Sequence, residues 1–125
     1  METAAVSSIR VKRAYRAVRM SDGQRVLVDA IWPRGMSRER IRLKCWMKSV
    51  APSAELRRWF NHDPGRWADF RDSYFQELAA KPDEIAVLET MIAHGPVTLV
   101  YGARDEAHNN AVALRDYLEQ RMGSA

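Results

Sequence analysis

Hydrophobic and polar residues follow different periods in the two halves of the chain. Ile9, Val11, Arg13, Tyr15 and Ala17 alternate with mostly basic residues. That period of two predicts a first strand over 9–17 with one wet face. Ser21-Asp22-Gly23 signals a turn. Residues 25–32 then read RVLVDAIW. The unbroken Val26, Leu27 and Val28 predict a strand buried on both faces. Pro33 and Gly35 stop it. Between 40 and 50 two periods fit equally. Ile41, Leu43, Cys45 and Met47 alternate, while Leu43, Trp46, Met47 and Val50 form a helical stripe.

Helical signals dominate from residue 52. Ser53 is placed to cap a short helix with Leu56, Trp59 and Phe60 on one face. Asp63-Pro64 forms an N-cap and first-turn pair for a second helix. That helix carries the stripe Trp67, Phe70, Tyr74 and Leu78 and ends at Lys81-Pro82. A third, over 83–94, turns Ile85, Leu88 and Ile92 one way and stops at Gly95-Pro96. VTLVY at 97–101 reads as a second buried strand. A last helix begins just after Arg104 and runs to about Met122, with Ala111, Leu114, Leu118 and Met122 inward. A strand that returns after three helices rejoins the same sheet by a crossover. The expected fold is therefore α/β, with helices packed on a small, mainly parallel or mixed sheet. Residues 1–8 are small and polar and are expected to be a disordered tail. Residues 9–125 are expected to form one domain.

Composition narrows the class. A chain of 125 residues with one cysteine, Cys45, has no internal disulfide framework and no multi-cysteine zinc site. It is long enough to fold on a hydrophobic core alone. Cys45 lacks an activating motif and reads as an inert buried thiol. His62, His94 and His108 lack metal-ligand spacing, so no metal is expected. No apolar run approaches a membrane span, and Met1–Ser8 has neither the basic start nor the apolar core of a secretory signal. A cytoplasmic protein without membrane contact is expected. The net charge of +4 is split unevenly, +9 over residues 1–60 and −5 over 61–125, and 16 of the 20 cations are arginine. Arginine matches carboxylate and phosphate bidentately, which favours anion recognition. The plainer reading is that the two halves pair their charges internally.

Candidate chemistry gathers where the buried strands end. In open α/β sheets ligands bind beyond the carboxyl ends of the strands. Here those ends read WPRG and YGARD. Arg34 beside Gly35, and Arg104 beside Gly102, would converge if the two strands are parallel neighbours. The start of the last helix would add its free N–H groups. The candidate site is Asp29, Trp32, Arg34, Gly35, Tyr101, Arg104, Asp105 and Asn109. Arg34 and Arg104 would hold a phosphate- or carboxylate-bearing ligand, and Asp29 would orient Arg34. The bland alternative pairs Arg34 and Arg104 with Asp29 and Asp105 as structural bridges. Asp29 lies inside an apolar strand and needs a partner. His62, His108 and Asp29 are candidates for proton transfer. Asp63 has a capping role available, and Asn109 and Asn110 could either fix a polar ligand with their donor and acceptor or cap the helix. No nucleophile–base pair is visible. Two rival readings stand beside the ligand site. The basic segment with Arg10, Lys12, Arg13, Arg16 and Arg19 points to nucleic acid. An exposed edge strand points to a non-catalytic homodimer.

Several segments carry a resemblance. RVLVDAIWPRG at 25–35, WMKSVAPSAELRRWFNHDP at 46–64 and VTLVYGARDEAHNNAVALRDYL at 97–118 resemble the YeaO-like family of small bacterial proteins, a domain of unknown function. The Asp22-Gly23 turn and FRDSYFQEL at 70–78 also fit, so the likeness covers nearly all of the chain beyond Ser8. Some family members are labelled uroporphyrin-III methyltransferases. No Gly-rich cofactor loop is present for that role, and no cofactor is expected. Two departures stand out. The family usually has arginine where Ala30 stands, and often has acidic residues where Lys44 and Cys45 stand. The wider superfamily is similar to proteins with a cysteine in the final strand. Here that stretch is Val100-Tyr101-Gly102-Ala103-Arg104, with no thiol.

Overall fold

The structure is a computed structural model that describes residues 9–123. The expected tail at 1–8 lies outside the described residues. Four strands form one sheet: β1 (Ile9–Arg13), β2 (Gln24–Leu27), β3 (Cys45–Trp46) and β4 (Val97–Tyr101), in the order β1-β4-β2-β3. Every pairing is parallel. Val11 stands opposite Leu99, Val26 opposite Leu99, and Val26 opposite Cys45. The helices are α1 (Arg38–Ile41), α2 (Ala54–Phe60), α3 (Trp67–Ala79), α4 (Pro82–His94) and α5 (Asn110–Gly123). This is an α/β fold, with β4 and β2 as its central strands.

Three boundaries differ from the sequence reading. The first strand ends at Arg13 rather than Ala17, because Ala14 to Arg16 turn, with the Arg16 N–H donating to the Arg13 carbonyl at 3.1 Å. The second strand ends at Leu27 rather than Trp32. Only the Val28 N–H still reaches β4, at the Val100 carbonyl. The last helix starts at Asn110 and not just after Arg104, because Asp105 and Asn109 organise the intervening residues into turns. The ambiguous stretch 40–50 holds both forms: a one-turn helix, then a two-residue strand. Each is shorter than the window in which a period can be read.

The Ser53 cap falls where the sequence places it, whereas Asp63 caps a 3-10 turn, Pro64–Arg66, that leads into α3. Ser53 Oγ accepts the Leu56 N–H at 3.1 Å, and Asp63 Oδ1 accepts the Gly65 N–H at 2.9 Å. Phe70, Tyr74 and Leu78 of α3 are buried, as are Ile85, Leu88 and Ile92 of α4, and Ala111, Leu114 and Leu118 of α5. They cover the sheet face that presents Val26, Val28, Leu99 and Tyr101. Trp59 is the exception on α2, at 41% exposed, with Arg66 over its ring. The opposite face, Leu27 and Val100, is covered by Ala14, Met36, Ile41, Trp32 and Trp46. Gly23 has φ +65°, and a Cβ there would overlap the Pro96 carbonyl oxygen. That contact fixes the glycine in the predicted turn and brings β2 in beside β4.

Candidate cleft at the strand ends

A cleft of about 370 Å³ opens beyond the carboxyl ends of β2 and β4. Asp29 stands two residues past β2 and is half-buried. Its Oδ2 accepts the Gly102 N–H at 2.8 Å, and its Oδ1 accepts from Asn110 Nδ2 at 3.1 Å. Gly102 permits this close approach, since a Cβ there would already stand 3.4 Å from Asp29 Oδ2. Burial raises the Asp29 pKa above its ordinary 3.8, against the lowering effects of Gly102, Asn110, Arg57 and His62. Arg34 is not a partner of this carboxylate, so Asp29 is anchored by amide donors and not by the arginine expected of it.

Two helix ends build the walls. Asn61 caps α2 at φ 47°, and its N–H donates to the Arg57 carbonyl. His62 follows at φ 54°. Two successive left-handed residues reverse the chain and keep His62 on the cleft rim, a conformation Asn and His tolerate better than most residues. Arg57 and Arg58 of α2 line the same cleft, over the apolar rings of Phe60 and Phe70. On the far side, Asn109 Oδ1 accepts the Val112 N–H at 3.0 Å and caps α5. His108 precedes that helix rather than lying in its first turn. Its Nδ1 is 2.9 Å from Asp105 Oδ2, and its ring meets the edge of Trp67 at 5.3 Å. Donation from Nδ1 to the carboxylate leaves Nε2 as the free lone pair of the neutral ring. The backbone N–H groups of Ala107 and His108, together with that ring, hold the Asp105 carboxyl below its usual range.

The cleft thus gathers Asp29, His62, His108 and Asn109, with Asp105 behind His108. It does not gather the other sequence candidates. Tyr101 is 1% exposed and belongs to the core. Trp32 packs on the opposite face of the sheet, edge-on to Trp46 at 5.3 Å. Gly35 and Arg34 are exposed, and the Arg34 carbonyl accepts from the Tyr15 hydroxyl at 2.8 Å, which ties that segment to the turn after β1. Arg104 is exposed and outside the lining. β2 and β4 are indeed parallel neighbours, but the chain past Leu27 departs from the strand before reaching Arg34. Sequence reasoning missed Arg57, Arg58 and Asn61, while Asn110, expected to cap or to fix a ligand, donates to Asp29 and to the Val28 carbonyl. The polar run Asn61-His62 between two helices was the available signal.

Asp29 supplies a pH test. A carboxyl that binds its proton more tightly in the folded state destabilises the fold as pH rises through the folded value. The stability of the protein minus that of Asp29→Asn is therefore expected to fall as pH rises above 3.8 and then level off. Urea unfolding over roughly pH 4 to 7 checks this. A difference that grows with pH would contradict it.

Among the described residues no group of three or more His, Cys, Asp or Glu could hold a metal ion. None of their helices is long and apolar enough to cross a membrane. Cys45 is half-buried, and burial pushes its thiol up.

A parallel sheet with a cleft at its strand ends defines a small α/β domain of the open-sheet class. The chain belongs to the YeaO-like family. The family model described as "Inactive DUF488-N3 subclade" matches residues 8–125. The uncharacterized protein YeaO of Escherichia coli K12 is 39% identical over 111 residues, covering 89% of this chain and 96% of that protein. The uncharacterized protein Rv3073c of Mycobacterium tuberculosis H37Rv is 40% identical over 113 residues, covering 90% of this chain and 95% of that protein. No solved structure matches the chain.

Proposed function

We propose that the cleft binds a small anionic ligand, bearing phosphate or carboxylate, without turning it over. The observation that carries the reading is the joining of Arg57 and Arg58 with the Asp29 carboxylate in one cleft of about 370 Å³. That volume is within the range of small-molecule sites. The two guanidinium groups and the start of α5 attract the anion. Asp29 accepts from an O–H or N–H elsewhere on the ligand, and Phe60 and Phe70 supply an apolar wall. The anion is thus assigned to Arg57 and Arg58 in place of Arg34 and Arg104. The word "inactive" in the family description supports binding over catalysis, as does a final strand without a thiol. His62 and His108 then act as hydrogen-bonding groups on the rim.

Calorimetry with inorganic phosphate, pyrophosphate and succinate tests the reading. Arg58→Ala, which removes an exposed side chain, is expected to weaken the best of these about tenfold or more, since hydrogen bonds to charged groups contribute about 1.5–3 kcal/mol. Arg104→Ala is expected to leave it unchanged. Loss on Arg104→Ala with none on Arg58→Ala would move the site back to the strand-end arginines. Binding of none of the three anions would reject it.

A further inference from the structure

The charge asymmetry is not neutralised by folding. Among the described residues, one ion pair joins the basic and acidic halves, Arg16 with Glu106 at 2.5 Å. The remaining pairs stay within their own half. Lys12 and Arg25 share Asp22, Arg71 and Arg115 meet Asp116, and Arg121 meets Glu89. Arg34, Arg40 and Arg42 are exposed and make no ion pair with any described residue. The halves therefore do not cancel one another: among the described residues Arg57 and Arg58 make no ion pair on the strand-end cleft, and neither do Arg40 and Arg42 on the opposite face.

Arg40 and Arg42 border a second hollow of about 350 Å³, on the face opposite the strand-end cleft. It runs between the turn after β1 (Ala14 to Val18) and the segment Met36 to Arg42, which contains α1. Ala14 and Met36 are buried members of the cluster beneath that face. Arg16, Arg40 and Arg42 line the hollow, and Glu39 is its one acidic lining residue. Tyr15 also lines it and keeps 40% of its surface exposed, with the Arg13 guanidinium 4.9 Å from its ring centre. Arg13 is itself held by the Ala103 carbonyl at 2.8 Å, and the Tyr15 hydroxyl by the Arg34 carbonyl. The aromatic ring is thus fixed at both ends and is not a loose surface side chain.

From this we infer that the hollow between the β1 turn and α1 is a docking surface for a single-stranded nucleic acid. Unpaired arginines match successive phosphates bidentately. A fixed, partly exposed aromatic ring offers a stacking platform, and bases present an open face only in single strands. A duplex could use the arginines but not the ring. The inference is independent of the strand-end cleft, which lies on the other face.

Fluorescence anisotropy with labelled 12-nucleotide single-stranded RNA and DNA, and with a duplex of the same sequence, tests it in the full chain at several salt concentrations. Binding of a single strand is expected to weaken with salt, with a log–log slope of about −1.4 for two phosphate contacts. Arg40→Ala with Arg42→Ala is expected to flatten that slope by more than half, while Arg40→Lys with Arg42→Lys keeps it. Tyr15→Ala is expected to weaken binding about tenfold with the slope unchanged, and Tyr15→Phe to restore it, since stacking on one base contributes on the order of 1–3 kcal/mol. Arg115→Ala is expected to have no effect. No binding at low salt overturns the inference, as does an equal loss on Arg115→Ala. A duplex that binds as tightly as the single strand, with Tyr15→Ala silent, also overturns it.

Discussion

Replacing Asp22 with alanine is expected to destabilise the protein by roughly 3–5 kcal/mol, the range for removing one partner of a buried ion pair. Asp22 is 2% exposed and Arg25 3%. The carboxylate accepts from Lys12 Nζ at 2.7 Å, from Arg25 Nη1 at 2.7 Å and from the Arg19 N–H at 3.1 Å. The Asp22 carbonyl accepts from the buried Thr98 hydroxyl of β4 at 2.7 Å. Without the carboxylate, Lys12 can turn to water, but Arg25 cannot. Arg25 Nε would keep the Ile41 carbonyl at 2.9 Å, while Nη1 would join the already unpartnered Nη2. An uncompensated buried charge sets the magnitude. Arg25→Met added to Asp22→Ala removes that charge and is expected to restore most of the loss, because apolar replacement of a buried pair is often neutral. Urea unfolding of the three variants checks both statements. A loss below about 1 kcal/mol for Asp22→Ala would place the pair in the class of surface bridges.

The same carboxylate fixes a sign in the pH dependence. Burial pushes the Asp22 pKa up, but Lys12, the Arg19 N–H and Arg25 together bring it below 3.8. Its contribution is present above 3.8 and is lost as pH falls towards the folded value. Asp29 works in the opposite direction. The two acids that the chain buries near β2 thus differ in kind. Asp22 has cationic partners and strengthens the fold. Asp29 has amide partners, opens on a cleft and weakens the fold at neutral pH.

How much of this was legible depended on length and periodicity. The α3 stripe Phe70, Tyr74 and Leu78 and the five buried residues of β4 repeat their period long enough to be read directly. The segment 38–46 does not, because a four-residue helix and a two-residue strand each end before a period can repeat. Asp29 was legible as a polar interruption of an apolar run. Arg57 and Arg58 were not, since on α2 the pattern marks only the buried Leu56 and Phe60, and nothing in it says what the other face meets. The sheet order β1-β4-β2-β3 sets β2 beside β4, and the end of α2 with the Asn61-His62 reversal lines the cleft beyond them. Periodicity encodes neither fact.

Phe70→Ala is expected to lower stability by about 3–5 kcal/mol, the range for truncating a buried aromatic residue. Phe70 is 2% exposed and stacks on Phe60 with ring centres 4.3 Å apart and planes 22° apart. It also meets Trp67 at 5.8 Å and Tyr74 at 5.9 Å. Tyr74 carries the stack onward, since its buried hydroxyl donates to the Val50 carbonyl at 2.6 Å. Truncation would leave a void among three rings, and α2, α3 and the 50–52 segment cannot all close on it. Phe70→Leu keeps most of the volume and is expected to cost less than about 1.5 kcal/mol. Thermal and urea unfolding separate the two variants, and equal losses would mean that the aromatic ring itself, and not the apolar volume that leucine retains, carries the stability. Phe60 and Phe70 also form the apolar wall of the cleft. Arg57 and Arg58 sit on the helix that Phe60 pins to that stack. Phe70→Ala is therefore expected to weaken phosphate binding even where the protein remains folded, and Phe70→Leu to spare it. Geometry at the cleft and packing in the core share the same rings, so a site of this kind holds its arginines only as firmly as its aromatic stack holds α2.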